Sequence, residues 1–547
     1  MWFEASRRSV LCIGTGWCDL DGVPGPRVGF GSFPHDLLLL VAGSGFVLRE
    51  RERSPAFAKT KFGAAKIWSL RTRGRSWVRF QYRFCGPPPS LSFRICASPS
   101  TGSNKLRMEL ISEEFIKPVS PTPNHLKSYE YSILDQFAPS NYIPILLYYP
   151  PPPPSLHKDN QKPNNTMINS SRLKNLKKSL SEILAHYYFL AGRLRNDTAS
   201  VDCNDEGVPF LEAFVQNQRL EDILNDPCIE NELRKSLLPL DMESFSSTLL
   251  LFVQVTFLEC GGMVVGISAT HKVLDTSSFI TFLTDWASLA RQDDPNFVLS
   301  PLNPIAKLLP PSNALPPSPS TKAALSREAC VTNIYVFNPS RIALLKTKAT
   351  SDNIPKPSRV DVVTSIMWKC LTAHSKRRST LAHMINMRKR VDPPMHAHYI
   401  GNFVGLVEAS KDETEKDIAN MVALIRKGLV KFDNDHGKRL KGDEAVGTIL
   451  EHIRDKLSLN SRKDYVDFYH FSSWCGYSFY DVDFGWGKPI MFNTIEGKFK
   501  NMIMLIDTKD RGVEARVTLS EQDMKMFEKN TELLTYATLK ASFPIKE

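Results

Sequence analysis

The sequence predicts an α/β protein built on mixed sheets, and three observations carry that prediction. Residues 248–258 and 263–270 are apolar runs rich in β-branched side chains, and Cys260-Gly261-Gly262 stands between them, which is a hairpin signal. Leu173, Leu176, Leu180, Ile183, Leu184 and Tyr187 recur at the spacing of one helical face. Strands and helices of these kinds occur in both halves of a 547-residue chain with no internal repeat, so two to four domains are expected, with two large ones allowed.

Taken in order, residues 1–107 differ in texture from the rest. They hold 17 Lys+Arg against 6 Asp+Glu, with Arg51-Glu52-Arg53, Arg71-Thr72-Arg73-Gly74-Arg75 and Pro87-Pro88-Pro89, and show no apolar periodicity beyond the short run 37–42. That run is far below the ~18–20 residues of a membrane helix. It also lies too deep in the chain for a signal peptide. The segment reads as a disordered or non-native extension. From Met108 the chain is patterned. Residues 143–149 read as a buried strand, stopped by Pro150 to Pro154 and followed by a polar loop over 155–166. A helix capped by Ser170 or Ser171 then carries the Leu173–Tyr187 face up to the break at Gly192. Residues 299–326, with seven prolines and no periodicity, read as a crossover between domains over 108–298 and 327–547. Beyond it a strand is expected at 330–337, and a helix from Ser358 with Val362, Val363, Ile366, Met367 and Cys370 on its apolar face.

Composition excludes several classes. The net charge is +11, but residues 1–107 account for 17 − 6 = +11, leaving 52 basic and 52 acidic residues in 108–547. Nucleic-acid binding by the neutral body is therefore not indicated, and no stretch predicts membrane insertion. Ten cysteines contain no CxxC and no Cys/His pair at zinc-ligand spacing, so no metal is expected and reduced thiols account for them. The sequons at Asn164, Asn169 and Asn196 carry little weight without a secretory signal.

Two strings carry chemistry. The first is His271-Lys272-Val273-Leu274-Asp275, placed after a predicted strand and before a helix lined by Phe279, Phe282, Leu283 and Trp286. Twelve histidines and ordinary Asp usage make roughly half an HxxxD expected by chance. A histidine at such a junction is well placed as a base, because its ordinary pKa lies near ~6.5. The second string is Asp483-Phe484-Gly485-Trp486-Gly487, in which the glycines allow a sharp turn, Trp486 fills an apolar slot and Asp483 accepts hydrogen bonds. Its chemistry suggests architecture. No HRD, glycine-rich loop or VAIK-like strand supports a kinase reading of Asp483-Phe484-Gly485, and neither a GxSxG elbow nor a Walker A loop occurs.

Together these strings resemble the two signatures of the plant BAHD acyl-CoA-dependent acyltransferases. The resemblance covers about 108–547 and includes Pro121-Thr122-Pro123, Leu134-Asp135, Leu190-Ala191-Gly192-Arg193-Leu194, Asn386-Met387-Arg388-Lys389-Arg390 and Gly401-Asn402. Ser472-Ser473-Trp474-Cys475 and the start Ile111-Ser112-Glu113-Glu114 look most like the vinorine-synthase-like branch. The resemblance implies two chloramphenicol-acetyltransferase-like domains flanking a tunnel, with acyl-CoA, acetyl-CoA first among donors, entering from one side and a small-molecule alcohol from the other. It implies that His271 is the general base, that Asp275 turns away to pair with Arg388 or Arg390, that Ser472 lies near the oxyanion and that Asp483 to Gly487 form a structural loop. Acyl-CoA would be a co-substrate, and a cytoplasmic monomer acting on an alkaloid or terpenoid is the expected setting. One departure is Thr276, where the family commonly has glycine, which could tighten the turn that aims His271. The rivals are a non-catalytic binding homologue of the same fold and a peptide-synthetase condensation domain. The latter usually has a second His before the motif, where this chain has Thr270. A nucleic-acid or anionic-membrane role for the basic extension is a third.

Overall fold

Tyr142–Tyr149 is a strand buried at every position, as an unbroken apolar run requires when both faces of a sheet are covered. It lies inside a six-stranded mixed sheet in the order Met491–Asn493, Tyr142–Tyr149, Met263–Thr270, Leu251–Leu258, Val208–Gln216, Arg107–Ile116. The expected hairpin forms, Leu251–Leu258 against Met263–Thr270, with Gly261 at φ +81° in the turn. A second, seven-stranded sheet runs Val404–Lys411, Ser379–Asn386, Asp467–Ser473, Met502–Asp507, Val513–Ser520, Cys330–Phe337, Thr538–Pro544. Both sheets mix parallel and antiparallel pairs.

The computed structural model describes residues 37–42, 45–50, 65–71, 77–83 and 107–544, apart from 153–164, 196–198, 226–232, 235, 239–247, 293–303, 316–327, 397, 461–465 and 495–498. The chain divides into Met1–Ser103 and Asn104–Glu547. In the first unit, Leu37–Ala42 pairs antiparallel with Gly45–Glu50, and Ala65–Arg71 with Trp77–Arg83. The run 37–42 is thus a strand, while the expectation of disorder over 1–107 otherwise falls largely outside the described residues. Among the described residues no helix is long and apolar enough to cross a membrane.

In the second unit, the helices Asn165–His186 and Thr276–Arg291 cover one face of the six-stranded sheet. Leu176, Leu180, Ile183 and Leu184 of the first meet Phe279, Phe282, Leu283 and Trp286 of the second in one core. Trp286 Nε1 donates to Ser179 Oγ at 3.0 Å, and the Tyr187 hydroxyl donates to Asp285 at 2.6 Å, so the buried polar tips are satisfied as the rings pack. The first helix starts at Asn165, one turn or more before the expected caps, and Ser170 and Ser171 lie within it. Serine prefers helix caps only weakly enough that continued packing of the helix overrides it.

The Arg359–Leu371 helix keeps its predicted start, since Ser358 and Asp361 form a reciprocal capping box. The proline-rich crossover is less featureless than predicted. Its described part contains the short helix Pro304–Leu308, and Ile305 and Leu309 are buried against Ile133, Leu134, Met387 and Phe403. Two apolar anchors give this segment a core position that proline counting does not reveal. Met491–Asn493, late in the chain, joins the edge of the first sheet beside Tyr142–Tyr149.

Candidate active site

His271 immediately follows the strand Met263–Thr270, and its backbone N–H donates to Asn141 O at 2.8 Å. Val273 and Leu274 are fully buried in the core below, pinning the loop, and Lys272 Nζ donates to the carbonyls of Asp135 and Gln136. Asp275 then caps the helix Thr276–Arg291, accepting from Ser278 N at 2.8 Å. Thr276 is the first residue of that helix and has ordinary helical backbone, so the turn does not need the glycine common at this position.

Segments from the second half of the unit close over this loop. Arg388 donates from Nη1 to Asp275 Oδ2 at 2.7 Å and from Nη2 to Asp275 Oδ1 at 3.3 Å, with both side chains 2 % exposed. The same guanidinium donates to Ser278 Oγ, to Gly401 O and, through Nε, to Tyr399 O. Phe403 N donates to Asp275 Oδ2 at 3.0 Å. The Arg388 charge and these N–H donors hold the Asp275 carboxyl below its ordinary range although burial pushes the other way. Of the two candidate arginines, Arg388 makes this pair. Arg390 forms a fork on Asp433, at 2.9 Å to each oxygen.

The orientation of His271 comes from Asn402, a residue the sequence marked only as part of a landmark. Asn402 Nδ2 donates to His271 O and to Asp135 Oδ1, both at 2.8 Å. Both partners are acceptors, which fixes Asn402 Oδ1 as the atom 3.0 Å from His271 Nδ1. An acceptor there requires Nδ1 to carry the proton and leaves Nε2 with its lone pair. Asp135 is fully buried, closes a capping box with Ser132 and also accepts from Asn402 N. Gly401, at φ +124°, supplies the backbone turn that brings Asn402 under the ring. Burial pulls the His271 pKa below its ordinary 6.5, against the opposing pull of Asp275 and Asp135, so the ring is neutral at physiological pH.

Ser472 stands in the seven-stranded sheet. It is half-buried in the strand Asp467–Ser473, in register with Met384 and Met504. Beside the loop lies Tyr477, close to Asn386 and Ser277, whose hydroxyl is pushed up by burial and by Asp275. Nothing in the sequence marks Tyr477 or the Ser278 hydroxyl, because the groups they meet, such as Asn386 and Gly401, are distant in the chain.

The Asp483–Gly487 loop stands apart from the histidine, at the other end of the helix Thr276–Arg291. The Asp483 carboxylate accepts from Gly485 N and Gly487 N at 2.8 and 3.0 Å, and Arg291 donates to its carbonyl oxygen. Gly485 and Gly487 sit at φ +106° and +101°, where L side chains are strained. Phe484 is fully buried, and its ring lies 4.9 Å from Trp286 and 5.7 Å from Trp486. Among the described residues no group of His, Cys, Asp or Glu is placed to hold a metal ion.

Comparison with known proteins places this geometry. Residues 106–534 match the model of the Transferase family. Akuammiline synthase 2 of Alstonia scholaris is 34% identical over 465 residues, covering 79% of this chain and 97% of that protein. Limonoid 7-O-acetyltransferase of Citrus sinensis is 34% identical over 458 residues, covering 79% and 98%. The crystal structure of vinorine synthase superposes with a TM-score of 0.66 at 32% identity, covering 79% of this chain and 98% of its own. The chain therefore belongs to the Transferase family, the plant BAHD acyl-CoA-dependent O-acyltransferases, among relatives of the vinorine-synthase type.

Proposed function

We propose that the protein transfers an acyl group, acetyl first among donors, from acyl-CoA to a hydroxyl of an alkaloid or terpenoid, with His271 as general base. The single observation that supports this most is the Asn402 clamp, which leaves the Nε2 lone pair of a neutral His271 as the only unanchored basic atom of the ring. In the proposed ternary complex, Nε2 takes the acceptor hydroxyl proton as its oxygen attacks the thioester carbonyl carbon. The C–S bond then breaks, and the proton passes from the imidazolium to the departing CoA sulfur, so the enzyme returns unchanged. Asp275 holds the loop through Arg388, Asp135 holds Asn402, and Ser472 is the side chain assigned to the oxyanion side. General-base catalysis of this kind contributes roughly 10²–10⁴-fold, about 2.7–5.5 kcal/mol.

Acceptor class and acetyl donor are supported by the names of the relatives, which include a limonoid 7-O-acetyltransferase and a stemmadenine O-acetyltransferase. In the same reading 108–298 and 327–547 act as two paired domains joined by 299–326, in a cytoplasmic monomer. The test is a panel of acyl-CoA donors against plant alkaloid and triterpenoid alcohols, read by thiol release and by mass spectrometry. Ester formation that disappears in His271→Ala supports the proposal. Absence of thiol release from every donor and alcohol would leave a non-catalytic homologue instead.

A further inference from the structure

At the far end of the helix Thr276–Arg291 from the histidine, about 24 Å along a 16-residue helix, the chain encloses an open depression of about 760 Å³. Its walls are the early turns of the helix Asn165–His186, the last turn of Thr276–Arg291 and the loop at Phe484-Gly485-Trp486. Asn175 ties the three together, donating to Ala290 O at 3.0 Å and to Phe484 O at 3.4 Å. Ligand sites commonly enclose ~300–1,000 Å³ and are largely preformed, so the size suits a small organic molecule.

Arg172 lies in this depression only 6% exposed, and its Nη1 is buried with no hydrogen-bond partner. Its guanidinium centre lies 5.6 Å from the Trp486 ring centroid, a contact that leaves Nη1 unsatisfied. No ion pair to Arg172 forms among the described residues, and the displacement of its pKa has burial as its cause, with no neighbouring charge contributing. Arginine does not escape the cost of burial by losing its proton. A buried cation with no counter-ion among the described residues is therefore retained against a penalty of the kind that proteins otherwise relieve by pairing. The rim repeats the sign. Lys174, Lys178 and Arg291 line the same depression. Among the described residues, Glu182 pairs with Lys178 at 3.4 Å, and the Asp483 carboxylate is turned onto its own glycine amides.

We propose that this depression binds a small phosphate-bearing molecule, separately from the acyl-transfer centre, with Arg172 as the buried anchor, Trp486 as the wall and Lys174, Lys178 and Arg291 as the charged rim. Four cationic side chains converging on one opening favour a doubly charged oxyanion over a single carboxylate, and Arg and Lys are the side chains that recognise phosphate oxygens best. The proposal does not depend on which acyl group or alcohol the histidine serves.

The test is isothermal titration of the full chain with inorganic pyrophosphate, at ionic strength held constant with chloride, with and without saturating CoA. One saturable site that persists when CoA is present is expected. Arg172→Gln should weaken it tenfold or more. The double variant Lys174→Gln/Lys178→Gln, at exposed positions that cannot disturb the core, should weaken it several-fold, and it serves as the readout if Arg172→Gln does not fold. Titration with adenosine 3′,5′-bisphosphate in the presence of CoA separates a nucleotide-type ligand from a simple phosphate by which of the two binds more tightly. The proposal is overturned if pyrophosphate shows no saturable binding, if the double variant titrates like the wild type, or if CoA abolishes the binding, which would make the depression part of the acyl-CoA site.

Discussion

Asp275 and Asp483 are the same residue at the heads of two short loops at opposite ends of one helix, yet they are held in different ways. Asp275 is 2% exposed and receives a two-point arginine contact together with N–H donors from Ser278 and Phe403. Arg388 and Phe403 come from more than a hundred residues away, so Asp275 joins the two halves of the unit through a full buried charge pair. Asp483 is half-buried and accepts from two glycines within four residues of itself. One aspartate is a long-range clamp beside the candidate base, the other a local brace of a turn. The lesson is that a carboxylate's importance follows from how much charge is desolvated and how far its partners reach, which its place in a motif does not reveal.

The sharpest test of this contrast begins between the two loops, at the histidine. His271→Ala is expected to lower kcat by 10²–10⁴-fold or more with the melting temperature near wild type, measured by thiol release and calorimetry. Unchanged turnover would remove the base from the mechanism. Asp275→Ala leaves Arg388 buried without its counter-charge and is expected to cost about 3–5 kcal/mol in a denaturant melt. A loss below about 1 kcal/mol would mean that the clamp is no stronger than a surface pair. Asn402→Ala frees the ring to rotate and to change tautomer, with an expected 10–100-fold fall in kcat, comparable to the loss of outer partners that orient histidines in metal sites, and little change in KM. Asp483→Ala removes two N–H acceptor contacts and is expected to cost about 1–2 kcal/mol, lowering soluble yield more than specific activity per folded molecule. A stable but inactive variant would move this loop into the chemistry.

The pH profile completes the comparison with the smallest expected change. Burial lowers the His271 pKa, and in the proposed mechanism the neutral ring is the active form. The acid limb of the activity profile should therefore have its midpoint below 6.5, where the imidazolium forms. An acid limb with its midpoint above 6.5 would contradict the burial argument.

Several parts were legible in the sequence because their cause is local. The buried strand Tyr142–Tyr149 and the hairpin across Cys260-Gly261-Gly262 follow from apolar runs and turn residues. The Ser358 cap and the tight Asp483–Gly487 turn follow from side chains that bond within a few residues of themselves. Less visible were the start of the helix Asn165–His186, where packing overrode two serines, and the burial of Ile305 and Leu309 inside a proline-rich stretch. The choice between Arg388 and Arg390 was also hidden, since both carry the same charge two residues apart. It was settled by which of them faces Asp275 and which faces Asp433.

The residue types of the site were written in the chain: an imidazole whose ordinary pKa lies near neutrality, a carboxylate four residues later and a glycine-permitted turn far downstream. These depend on side-chain chemistry and short-range geometry, which spacing preserves. It took the folded chain to place Asn402 and Asp135, 131 and 136 positions from the histidine, where they fix its tautomer, and to set a buried arginine against Trp486. Such contacts depend on how sheets and helices stack across the chain, and pattern within a short window carries no record of it.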